Sequence, residues 1–237
     1  MALKQQTIKK LHEICKVMQQ KCNNDNLTEQ VTKMVGEVIF FETKATSDNS
    51  VFNLYDYTLQ DAKELINRPA YGTVYHDNGY EVATSGHILV AIKSDYDKSL
   101  EGKAIDKYGN VCDSRFPRWK NVIPSDKLIR QDYKAVAIEP DDVEKDFQQW
   151  ISKVRAEHKA ETGKSCKFSD DWFVKLGDVY LSAAYFVLFL KALRKIDAHV
   201  VYYKGFGMCV AAKTKAGIAL LMTRLFDGYK YQKVFEL

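Results

Sequence analysis

Hydrophobic residues recur along this chain with two periods, three-to-four and two, and the switches between them mark out its elements. Ile8, Leu11, Cys15, Met18 and Cys22 fall on one stripe, which predicts an amphipathic helix over residues 5–22. Lys9, Lys10, Lys16 and Lys21 take its other faces, and CNNDN ends it. GEVIFFETK (36–44) and VFNLYDY (51–57) read as strands. TLQDAKELINRP (58–69) reads as a short helix with Thr58 as its cap and Pro69 as its stop. Alternation returns in YGTVYHDNGYEVATSGHILVAIK, and Asn78-Gly79 between two strand-like runs predicts a hairpin with a type I′ turn. Residues 94–114 are polar and read as a long loop or a weak hairpin, and RFPRWKNVIP (115–124) as an extended segment between two prolines.

The second half has the more regular pattern. KAVAIE is a strand. Pro140, Asp141 and Asp142 open a helix, because proline suits the first turn and carboxylates suit the positive end of the dipole. Val143, Phe147, Trp150, Ile151 and Val154 carry that helix over 141–158, and KAETGKSCK follows as a loop. DWFVKLGDVYL is strand-like, and Ser182 is the expected cap of AAYFVLFLKALRK, which ends on Arg194 and Lys195. Three more strands follow in HVVYYKG, FGMCVAAKT and GIALLMTRLF, giving β-α-β-α-β-β-β. The fold class is α+β. A division near Pro124 separates 1–124, with the N-terminal helix, from 125–237.

Composition narrows the class without choosing a function. With 237 residues, 46% hydrophobic and 28% charged, the chain can bury a core, and neither disorder nor membrane residence is indicated. A net charge of +4 permits a nucleic-acid partner without demanding one. The odd set Cys15, Cys22, Cys112, Cys166 and Cys209 lacks a CxxC pair and zinc-finger spacing, so it reads as free thiols in a reducing compartment. The first 21 residues hold no long apolar run and do not read as a signal peptide, and YFVLFLKAL is too short to span a bilayer. The expectation is a cytoplasmic protein without cofactor or metal.

Candidate chemistry is sparse. TGKS at 162–165 resembles the end of a phosphate-binding loop, but the position that must be glycine is His158. Thr84, Ser85 and His87 lie close together without an orienting carboxylate, so they read as structural or binding residues rather than a catalytic set. Asp141-Asp142 and Asp170-Asp171 are explained by capping, and the remaining histidines are single.

Three stretches, taken in order, resemble a known family. ATSGHILVA (83–91) resembles the ATDGHRLA signature of bacterial DNA sliding clamps, the β subunit of the replicative polymerase. RFPRWKNVIP resembles the FPDYRRVIP stretch of that family, and ALLMTRL (219–225) resembles VVMPMRL at its C-terminus. The resemblance implies a clamp-like fold of sheets with paired amphipathic helices. It also implies a non-enzymatic processivity role in DNA replication. In that family these stretches form the groove that receives short peptide motifs of polymerases and repair proteins. Carried over, the groove is Thr84, Gly86, His87, Ile88, Leu89, Pro117, Asn121, Val122, Leu220, Leu221, Met222, Thr223, Arg224 and Leu225. The family's Asp is Ser85 here, its Arg is Ile88, and the proline of its last motif is Met222. The family also encircles double-stranded DNA without reading bases. The corresponding expectation here is that Lys9, Lys10, Lys16, Lys145, Lys153 and Arg155 face phosphates. A length suited to two clamp domains implies a homotrimer if a ring forms. The other reading is a clamp-fold interaction module, encoded by a phage or mobile element, that does not encircle DNA.

Overall fold

The computed structural model describes residues 52–164, 172–205, 207–226 and 233–237. The expected helix at 5–22, the strand at 36–44 and the loop end at 165–167 lie outside the described residues. Phe52–Leu237 form one compact unit.

The unit is built on a large sheet of strands of mixed length, with its two long helices packed on one face. In sequence order the strands are β1 (Thr73–Asp77), β2 (Tyr80–Thr84), β3 (Ile88–Lys93), β4 (Ala104–Asp106), β5 (Val111–Cys112), β6 (Lys134–Ala137), β7 (Trp172–Leu176), β8 (Val179–Ser182), β9 (Val200–Tyr203), β10 (Cys209–Lys213), β11 (Gly217–Arg224) and β12 (Lys233–Glu236). The helices are α1 (Ala62–Asn67), α2 (Asp126–Asp132), α3 (Pro140–Thr162) and α4 (Ala183–Lys195). The strand path runs β12-β7-β8-β11-β3-β2-β1-β4-β5, and β10, β9 and β6 branch from β11. All pairings are antiparallel except β12 with β7.

β11 is the hub. Its first half pairs with β3 on one side and β10 on the other, and its last two residues, Thr223 and Arg224, pair with Leu181 and Tyr180 of β8. Strand alternation then sorts its side chains between two cores. Ala219 and Leu221, with Ile88, Val90 and Ile92 of β3, point to the helix side, where Phe147, Ile151 and Val154 of α3 and Phe186, Phe189, Leu190 and Leu193 of α4 pack. The Phe147 and Phe186 rings meet edge-on at 5.5 Å, which fixes how the two amphipathic helices sit together. Ile218 and Leu220, with Leu89 and Ala91, point the other way, where Phe116 and Trp119 cover the sheet. The paired helices and the α+β class expected from the sequence are both present.

Several local readings change. Residues 51–57 contain a 3-10 turn, Leu54–Tyr57, in place of a strand: the Asn53 side chain accepts from the Tyr55 amide at 3.0 Å and bends the chain before a ladder could form. Thr58 does not cap α1. Its hydroxyl donates back to the Tyr55 carbonyl at 2.8 Å, and Asp61 caps the helix by accepting from Lys63 and Glu64. Ser182 stands at the start of α4 without a side-chain capping bond. α3 runs from Pro140 to Thr162, longer at both ends than expected, and Gly163 in the left-handed conformation stops it, so Thr162 and Gly163 are a helix end and its cap. Residues 172–181, expected as one strand-like run, form a hairpin, β7–β8, and β12 was not expected.

The Asn78-Gly79 hairpin holds as read. Both residues have positive φ, 52° and 75°, which the type I′ turn requires. Residues 94–114 form the weak hairpin alternative through β4 and β5.

Candidate protein-docking site

The three stretches that resemble the clamp motifs are far apart in sequence and meet in the fold. The first two strands of contact are direct: Leu89 lies opposite Leu220 and Ile88 opposite Leu221, and the Met222 amide donates to the His87 carbonyl at 2.9 Å. The middle stretch lies across the same face. Phe116 and Trp119 bury against Leu89 and Leu220, and the Val122 carbonyl is 4.0 Å from the Cys209 thiol of β10. Cys209 is in turn the ladder partner of Met222.

The turn between β2 and β3 is held by its own polar groups. The Thr84 hydroxyl donates to the Ile88 carbonyl at 2.8 Å and accepts from the Gly86 amide at 3.1 Å. Gly86 has φ 89°, so a glycine is needed there. Thr84 and Ser85 are buried and thereby structural, while Gly86 and His87 are exposed at the tip. The His87 ring lies 5.0 Å from that of Tyr185. Neither hydroxyl is aligned with His87 for proton transfer; Ser85 Oγ accepts from the His87 backbone amide instead.

Burial divides the remaining site residues. Ile88, Leu89, Leu220 and Leu221 are core side chains, two on each face of the sheet, and they shape the junction from beneath. The accessible surface is made by Asn121, Val122, Met222 and Leu225, with Pro117, Thr223 and Arg224 half-buried. Val122 is 54% exposed, Met222 39% and Leu225 67%, and Met208 beside Thr223 adds a fourth apolar side chain that the motif comparison did not mark. Arg224 lies over the Phe173 ring at 5.7 Å, and Phe226 stacks on Tyr180 at 4.3 Å, so an aromatic group borders the junction on the β8 side.

The middle stretch is anchored at its other edge by a carboxylate. Asp77 Oδ2 accepts from Trp119 Nε1 at 2.8 Å and pairs with Lys120 Nζ at 2.9 Å, while Asn78 donates to Oδ1. Burial opposes ionisation of Asp77, but the bonds from Lys120 and Trp119 and the charge of Lys120 outweigh it and hold the carboxyl below its ordinary range. No local signal in the sequence joins positions 77 and 119.

Among the basic residues expected to face DNA, Lys9, Lys10 and Lys16 lie outside the described residues. Lys145, Lys153 and Arg155 are exposed on α3, with Asp141, Asp142 and Asp146 exposed around Lys145. Among the described residues no cluster of His, Cys, Asp and Glu could hold a metal, Cys112 and Cys209 are free thiols, and no helix is long and apolar enough to cross a membrane.

Solved structures to which this chain is similar include bacterial sliding clamps, the β subunits of DNA polymerase III. They include the Borrelia burgdorferi protein in complex with a natural product, at 12% identity and TM-score 0.47. The Bartonella birtlesii clamp bound to griselimycin matches at 10% and 0.48, and the C. crescentus clamp with PEG bound at 13% and 0.47. In each case 73% of this chain is covered, and the chain spans only 59% to 62% of the clamp. No family model and no curated protein matches the sequence.

Proposed function

We propose that this chain is a clamp-like DNA replication accessory protein, without enzymatic activity, that docks the short hydrophobic segment of a polymerase or repair protein. The observation that carries the reading is the meeting of 83–91, 115–124 and 219–225 in one place, with Val122 and Met222 exposed on either side of Cys209 and Leu225 and Met208 exposed at the end of the same ladder. A partner segment with one or two large apolar anchors would cover these side chains, and the exposed polar groups of Asn121 and His87 would edge it. The two cores below give the surface the rigidity that keeps the ordering cost of binding low.

The test is fluorescence anisotropy with a labelled peptide carrying Leu and Phe anchors. Leu221 is 1% exposed, so the informative change is at the surface, Met222→Asp. Saturable binding that weakens about tenfold or more in Met222→Asp supports the reading, since a charge placed under an apolar anchor costs more than a kcal/mol. Equal affinity of the variant refutes it.

The runner-up, an interaction module that does not encircle DNA, is favoured by one observation: the outer surface of α3 mixes Asp141, Asp142 and Asp146 with the lysines proposed to face phosphates. DNA encirclement predicts a trimer in light scattering and salt-sensitive DNA binding that falls in a Lys145→Glu, Lys153→Glu, Arg155→Glu variant. A monomer at high concentration with no DNA binding leaves the interaction module.

A further inference from the structure

Two exposed arginines stand out beside the docking surface. Arg115 and Arg118 line a cleft of about 480 Å³ bounded by Tyr75, Ala104, Phe116 and Trp119, and it runs along the same 115–121 stretch that leads to Val122. Among the described residues, Arg68 lies over Tyr71, Arg130 interacts with Asp126, and Arg194 is paired with Asp141 and Glu144. Among the described residues, the Arg115 and Arg118 side chains make no hydrogen bond, ion pair or ring contact, and the Arg118 carbonyl only closes its own turn by accepting from the Asn121 amide at 3.0 Å. Of the two carboxylates that line the cleft, Asp77 is already engaged by Lys120 and Trp119, and Asp113 forms no ion pair with either arginine.

We infer that this cleft reads acidic side chains flanking the hydrophobic anchors of the docked segment. Guanidinium forks bind carboxylates in a bidentate way, and two without an ion-pair partner lining one cleft select an acidic occupant. The occupant is a peptide and not a single-stranded nucleic acid, because no ring in the cleft is free for a base to stack on. Phe116 and Trp119 are 7% and 4% exposed, and Tyr75 stacks on Phe116 at 4.8 Å. The spacing follows from the turn. Arg118 precedes Val122 by four residues along the 3-10 segment Trp119–Val122, roughly 8 Å at about 2.0 Å per residue. An extended peptide covers about 3.3 Å per residue, so the first acidic side chain falls two to three residues from the anchor at Val122. This inference rests on the docking reading.

The experiment compares two fluorescein-labelled peptides with the same Leu and Phe anchors, one carrying Asp-Asp two residues from the nearer anchor and the other Asn-Asn. At low salt the Asp-Asp peptide binds about tenfold tighter, two exposed charge pairs contributing about two- to fivefold each. In the R115A/R118A variant the difference between the peptides closes to less than about twofold. Equal affinity of the two peptides for the unaltered chain overturns the acid-reading cleft and leaves the docking site standing. Binding by neither peptide overturns both. Displacement of the Asp-Asp peptide by a thymidine oligonucleotide, lost in R115A/R118A, overturns the peptide assignment in favour of nucleic acid.

Discussion

The link between Asp77 and Trp119 sets how well the middle stretch is held on the sheet, and its strength can be worked from the structure. In Asp77→Ala the Trp119 indole, 4% exposed, loses the acceptor of its N–H, and Lys120 loses its partner. A hydrogen bond to a charged group contributes about 1.5–3 kcal/mol, and the half-exposed lysine pair adds about 0.5 kcal/mol. The variant therefore loses about 2–3.5 kcal/mol. For a chain of this size each kcal/mol is worth about 2–4 °C, so Tm falls by about 4–14 °C in a circular-dichroism melt. The paired variant Trp119→Phe removes the same bond from the other side. A double-mutant cycle returns a coupling of about 1.5 kcal/mol or more if the bond holds as drawn. The pH dependence carries the sign. Because the folded Asp77 carboxyl is held below its ordinary value near 3.8, its stabilisation is complete above that value and is lost as pH falls through the lower folded value. The gap in Tm between the unaltered chain and Asp77→Ala is therefore full at pH 6 and narrows below pH 4. A Tm within about 1 °C of the unaltered chain at pH 6, or strictly additive effects in the cycle, would refute the reasoning.

Other expected outcomes follow from single contacts. Gly177 has φ 58° and a Cβ there would meet the Tyr203 hydroxyl, so Gly177→Ala should lower stability by about 1–3 kcal/mol in urea unfolding, and an unchanged midpoint contradicts the β7–β8 turn. Leu220→Ala opens a cavity under Trp119 and Leu89 and should cost about 2–5 kcal/mol by the same measurement. The protonated His199 ring donates from Nδ1 to Glu139 Oε2 at 2.9 Å and from Nε2 to Asp197 Oδ1 at 3.3 Å, and these bonds raise its pKa above 6.5. NMR titration should show that elevation and its decrease in Glu139→Gln. The stabilisation it brings is present below the unfolded value and lost as pH rises through the folded one.

What the sequence made legible follows the range of each signal. The Asn78-Gly79 turn needs only two residues in the left-handed region, and it was readable. The helices α3 and α4 were readable because their apolar stripes are long, and α3 was underestimated only at its ends, where Glu139 and Gly163 set the limits. β12 was missed because KVFE gains its pairing from β7, some sixty positions away, and not from its own pattern. The turn at 54–57 was missed because alternation of aromatics there serves packing and hydrogen bonding, Tyr55 to the Asp106 carbonyl and Tyr57 to that of Leu188. At the candidate site the sequence named the three stretches but not their division of labour. Alternation alone sends Ile88 and Leu221 to one core and Leu89 and Leu220 to the other, so the surface falls to residues at the strand ends and in the 115–122 stretch. The contribution of Met208 needed the β10–β11 ladder, and the anchoring by Asp77 needed the whole fold.

A peptide bearing a benzophenone side chain in place of its aromatic anchor tests the docking surface most directly. Irradiation of the complex followed by mass spectrometry is predicted to place the cross-links on Val122, Met208, Met222 or Leu225. Cross-links confined to residues outside the junction of 83–91, 115–124 and 219–225 would contradict the account.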